Sequence, residues 1–112
     1  MKTAFLLIPV VILSACASLS NTQFTGESAS YNNDNILRND VFAAIKRNEN
    51  LAFQCRKINS VNAVINGASR PNGLLYVTET WTVQACGKIH AYDVTLRQDA
   101  KNETDFGVSF KP

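Results

Sequence analysis

The chain has 112 residues, with 11 basic and 9 acidic side chains and a single histidine. That length holds one domain, and a formal net charge of +2 is not the basic stripe that nucleic-acid binders carry. Met1 and Lys2 make a short positive start, and residues 4–13 (AFLLIPVVIL) form an apolar stretch of ten. This stretch is too short to span a bilayer, and Pro9 would kink it. With small residues behind it, the segment over residues 1–15 reads as a secretory signal. No second long apolar run follows, so no transmembrane helix is expected. The mature chain would be the 97 residues from Cys16 to Pro112, with ten basic and nine acidic side chains.

The signal ends in Leu13-Ser14-Ala15-Cys16, which resembles the lipobox of bacterial lipoproteins. The resemblance implies that the Cys16 thiol takes a diacylglyceryl group, that the signal is cut just before it, and that the new amine is acylated, typically with palmitate. Two or three acyl chains hold a protein firmly where one gives marginal binding. Ala17, in place of the aspartate that marks inner-membrane retention, implies the outer membrane, on its periplasmic face.

Residues 17–33 hold nine Ser, Thr or Asn in seventeen positions, with only Leu19, Phe24 and Tyr31 large and apolar. With so little to bury, residues 16–33 read as the lipidated cysteine and a flexible tether, reaching on the order of 20–25 Å. The domain is expected over residues 34–112. A core that small usually needs a staple. Cys55 and Cys86 are the cysteines left after Cys16, and export makes a disulfide their expected state. The enclosed loop of about 30 residues is worth roughly 3–4 kcal/mol in the chain-entropy picture. With one His, no CxxC and no His pair, a metal site is the weaker use of the pair.

Leu37, Val41, Ala44 and Ile45 recur at helical spacing, with Asp34 or Asn33 as caps. Asn48 and Asn50 mark the helix end, with Leu51 to Phe53 as a further turn. Strands follow over residues 56–66, 74–85 and 88–97. Arg70-Pro71-Asn72-Gly73 is a turn whose Pro sets φ and whose Asn and Gly accept positive φ. Cys86-Gly87 is a tight two-residue turn. Residues 104–110 alternate, with Phe106, Val108 and Phe110 on one face.

If Cys55 lies directly opposite Cys86, the first hairpin centres beside Pro71. Ile58 then faces Val83, Val64 faces Val77 and Asn62 faces Glu79. A Cys86-Gly87 turn sets Trp81 against Tyr92, Glu79 against Val94 and Val77 against Leu96. The expected core face is Ile58, Val64, Val77, Trp81, Val83, Tyr92, Val94 and Leu96, covered by the helix. The other face carries Thr78, Thr80, Thr82 and Thr95, with Val61, Ile65 and Tyr76 as an apolar interaction face. The expected fold is α+β: one N-terminal helix packed on a four-stranded antiparallel meander sheet with one disulfide, resembling cystatin-like folds in outline.

Catalysis finds few candidates. His90 could pair with Glu79 or Asp93, but no GxSxG, HExxH or P-loop accompanies it. No catalytic residue, metal ligand or cofactor is therefore assigned. Glu79 on a core face either pairs with Asn62 or is a functional buried carboxylate. Trp81 and Tyr92 form a core pair or an aromatic platform. Residues 79–99 also resemble small bacterial envelope lipoproteins with a tryptophan strand, a Cys-Gly turn and a tyrosine strand, a likeness that implies no activity. The expected function is a lipid-anchored, non-enzymatic domain that binds another envelope component. The alternative is an inhibitor of a secreted hydrolase such as a lysozyme or protease.

Overall fold

The computed structural model describes residues 21–32 and 34–112. The signal, the lipobox and Asn33 lie outside the described residues. The elements are β1 (Gln23–Gly26), α1 (Ile36–Phe53), β2 (Ile58–Ser69), a 3-10 turn (Pro71–Gly73), β3 (Tyr76–Ala85), β4 (Lys88–Gln98) and β5 (Thr104–Lys111). They build one five-stranded sheet in chain order, with β1 parallel to β2 and every other pair antiparallel. The architecture is α+β with one helix and one disulfide. It departs from the expected four-stranded antiparallel meander by the extra strand, which precedes the helix.

β1 is the first correction. Residues 23–26, read as tether, pair with Ser60 to Ala63 of β2. Side chains rather than strand propensity hold them there. Phe24 meets Phe42 edge-on at 5.1 Å and lies under the Arg38 guanidinium at 4.1 Å. The Thr22 hydroxyl donates to the Ile58 carbonyl at 2.8 Å, and the Tyr31 hydroxyl donates to Thr25 at 3.0 Å. Two parallel neighbours need a crossover connection, and α1 is that crossover, so it lies across one face of the sheet.

The apolar stripe of α1 buries Val41 and Ile45. At its start the Asp34 carboxylate accepts the Ile36 N–H at 3.0 Å. At its end Gln54 takes a positive φ of 57°, while the Gln54 and Cys55 N–H groups donate to Asn50 and Glu49. This Schellman-type stop aims Cys55 at Cys86, to which it is bonded with Cα atoms 6.0 Å apart. Cys86 and Gly87 both have positive φ, 51° and 75°, as the tight β3–β4 turn requires. Trp81 opposite Tyr92, Glu79 opposite Val94 and Val77 opposite Leu96 are all observed.

The first hairpin has a different register from the expected one. Val61, not Ile58, faces Val83, and Ile65, not Asn62, faces Glu79. The disulfide joins residues beyond both strand ends, so it does not mark a rung of the ladder. Irregularities between Ile58 and Ser60 and between Ile65 and Gly67 shift the pairing further. An odd shift exchanges the two faces. Val61 therefore belongs to the core at 0% exposure, and Val64, expected in the core, is 50% exposed. The other expected core residues, Ile58, Val77, Trp81, Val83, Tyr92, Val94 and Leu96, are buried. The core of the described residues and both bonded cysteines lie between Asn21 and Pro112.

Gly26 tests the β1–β2 junction. Its φ is +83°, and a Cβ there would collide with the Ala63 carbonyl oxygen and lie 2.9 Å from the Ala63 nitrogen. Gly73 also has positive φ but has nothing within 4 Å of an added Cβ. Gly73→Ala is expected to cost about 1 kcal/mol, the ordinary charge for left-handed backbone. Gly26→Ala should cost at least about 2–3 kcal/mol, because backbone must move as well. Equal thermal melts for the two variants would contradict the pairing of β1.

Candidate functional site

Two carboxylates are buried in this small domain: Glu49 at 0% and Glu79 at 1% exposure. Glu79 lies on the inner face of β3. Its oxygens accept from the Ser28 hydroxyl at 2.7 Å, the Ala29 N–H at 2.7 Å and the Trp81 indole N–H at 2.8 Å. All three donors are neutral, and two come from the segment that links β1 to α1. Glu79 thus latches that segment to the sheet and does not touch His90. Asp93, the other expected partner of His90, is exposed and pairs across the sheet with Thr80 and Ser109.

Glu49 is the partner that His90 has. It continues the α1 stripe one turn beyond Ile45 and points at β4. The His90 Nδ1–H donates to Glu49 at 2.9 Å to Oε2 and 3.0 Å to Oε1. The Tyr92 hydroxyl donates to Oε2 as well and accepts from Asn48 Nδ2 at 2.8 Å. A carboxylate accepts only, so the ring proton is assigned to Nδ1. Nε2 has no partner among the described residues, and no buried side-chain polar atom there is unpaired, so Nε2 is open to solvent. The imidazole stacks on Phe53 at 4.0 Å and meets the edge of Phe110 at 5.7 Å.

Burial raises the Tyr92 pKa, and its hydrogen bond to Glu49 raises it further; the Asn48 bond pulls the other way but does not prevail. Tyr92 therefore stays a neutral donor. Beside the cluster is a hollow of about 360 Å³ lined by Glu49, Phe53, Lys88, His90 and the Cys55–Cys86 bridge. Among the described residues no three His, Cys, Asp or Glu side chains gather as a metal set. No described helix is long and apolar enough to cross a membrane.

The expected interaction face does not hold together. Val61 is core, Ile65 is 40% exposed on the inner side opposite Glu79, and Tyr76 is half-buried opposite Ser69 and Arg97. The outer face instead carries the threonines and Val64, with Asn66 donating to Thr80 at 2.8 Å. Trp81 and Tyr92 are fully buried, so they are a core pair. Sequence reasoning missed Glu49, although the spacing 37, 41, 45, 49 carries the signal: a carboxylate in the next slot of an apolar stripe. Compared with known proteins, the chain matches no family model, no curated protein and no solved structure.

Glu49→Ala would leave the buried Tyr92 hydroxyl and the His90 Nδ1–H without an acceptor. The expected loss is about 2–4 kcal/mol in denaturant unfolding. Glu49→Gln keeps an acceptor and should lose less.

The raised Tyr92 pKa predicts an alkaline limb. The folded state holds this proton more tightly than the unfolded chain, so the stabilisation is complete below the unfolded value near 10 and is lost as pH climbs above it. Tyr92→Phe should flatten that decline. Identical alkaline melting of the two proteins would contradict the assignment.

Proposed function

We propose that this chain is a lipid-anchored envelope protein whose domain binds another envelope component without chemical turnover. Cys16 would carry the diacylglyceryl and acyl groups and hold the protein at the periplasmic face of the outer membrane. The observation that carries the envelope assignment is the Cys55–Cys86 bond, because such bonds persist in exported proteins and are rare in reducing compartments. An exported chain with Leu13-Ser14-Ala15-Cys16 at the end of its signal fits lipidation at that cysteine.

The neighbourhood of His90 supports binding over catalysis. A carboxylate that orients an imidazole is half of a nucleophilic site; the other half is a hydroxyl or thiol beside Nε2. Here the ring is flanked by Phe53 and Phe110, and the adjacent sulfurs are bonded to each other. What remains is a rigid imidazole beside an exposed lysine, at the mouth between the end of α1 and the β3–β4 turn.

Metabolic labelling with a radioactive fatty acid tests the anchor. The wild-type protein should take up label and sediment with outer membranes, and Cys16→Ser should take up none. Label retained by Cys16→Ser would overturn the reading.

A further inference from the structure

Basic side chains gather at one end of the strand axis, although the charges of the domain nearly cancel in sum. At the end formed by the last turns of α1, the start of β2 and the β3–β4 turn stand Lys46, Arg47, Arg56, Lys57, Lys88 and Lys111, all exposed. These are six of the ten basic residues after Cys16. Of the nearby carboxylates, Glu49 is buried and occupied by His90 and Tyr92, and exposed Asp93 stands opposite Ser109, two residues from Lys111. The far end, about ten strand residues or roughly 33 Å away, is mixed in charge: Asp34, Asp99, Glu103 and Asp105 stand there with Arg70, Arg97 and Lys101. The basic end also exposes large apolar side chains: Leu51 at 75%, Ile89 at 66% and Phe53 at 40%.

The same end receives the chain. Thr22 is pinned to Ile58, and Asn21 and Thr22 share a surface hollow with Lys46, Arg56 and Lys57. Only five residue steps separate Cys16 from Asn21, so the two cannot be more than about 18 Å apart. A lipid on Cys16 would thus keep the basic end at the bilayer and the mixed-charge end away from it.

We infer that this basic and apolar end is a docking face for anionic phospholipid headgroups. Cations meet the phosphates, while Leu51, Ile89 and Phe53 enter the headgroup boundary, the pairing that interfacial segments use. The inference deepens the proposed function by naming its envelope component, and it rests on that reading for the orientation. Each Lys or Arg near an anionic surface adds about fivefold to partitioning.

The test uses the exported Cys16→Ser chain, its signal removed and its disulfide intact, sedimented with vesicles of phosphatidylcholine alone or with added phosphatidylglycerol. Binding should require phosphatidylglycerol and fall at least about tenfold in high salt. Arg56→Glu with Lys57→Glu should lower partitioning by at least about tenfold, as should Lys46→Glu with Arg47→Glu. Arg70→Glu with Lys101→Glu, away from this end, should leave it within about twofold. Thermal melts identify any variant that has unfolded, and the second basic pair then decides. Equal partitioning to both vesicle types, none to either, or equal loss from the Arg70 and Lys101 changes would overturn the inference. The assay contains no Cys16, so its failure leaves lipidation standing, and failure of fatty-acid labelling leaves headgroup binding standing.

Discussion

The parallel pairing of four residues, Gln23–Gly26, with the start of β2 governs the rest of the molecule. Two parallel neighbours cannot be joined by a tight turn, so the connection crosses the sheet, and here it contains α1. The crossing decides which face is covered. That face takes Val61, Trp81 and Tyr92 into the core and leaves the threonine face to water. It also brings Glu49 over β4, so the buried carboxylate cluster depends on β1 lying on the far side of β2.

The two buried carboxylates are held in contrasting ways. Glu79 is satisfied by a hydroxyl, a backbone N–H and an indole, none of which changes charge near neutral pH. Its role is to fasten the β1–α1 connection, since removing the acceptor would strand the buried Trp81 N–H and release the part-buried Ser28 and Ala29 donors. Glu49 is shared between a phenol and an imidazole, and the imidazole opens outward. One acid closes the fold, and the other fixes the ring of His90 at the surface.

Several features were legible in the residues because they are local. The two-residue Cys86-Gly87 turn determines every rung of the β3–β4 ladder, and the spacing from Leu37 to Ile45 marks the inner stripe of α1. The cysteine pair was legible as a bond but not as a ruler. The Schellman-type stop after Phe53 takes Cys55 off the strand, so extending its pairing along β2 places Val61 and Val64 on each other's faces. β1 carries too little local signal to be seen: Gln23 and Gly26 are poor strand residues, and Phe24 packs on Tyr31 nearby but chiefly on Phe42 and Arg38, which are distant in sequence. Glu49 was hidden because a carboxylate in an apolar stripe reads as a break in the pattern until Tyr92 and His90 stand opposite it.

β1 is much shorter than the strand it joins. Its pairing ends at Ala63, so among the described residues the outer edge of residues 64–69 has no neighbour in the sheet, and Val64 and Ile65 stand at it half exposed. A straight, apolar edge strand is a template on which another chain can add a strand. The irregularity between Ile65 and Gly67 lies within this stretch, and Asn66 is drawn across to Thr80. A bulge bends the strand and breaks the even spacing of its N–H and C=O groups, so an incoming strand finds no continuous run to match. This local irregularity thus guards the sheet against growing from one molecule into the next.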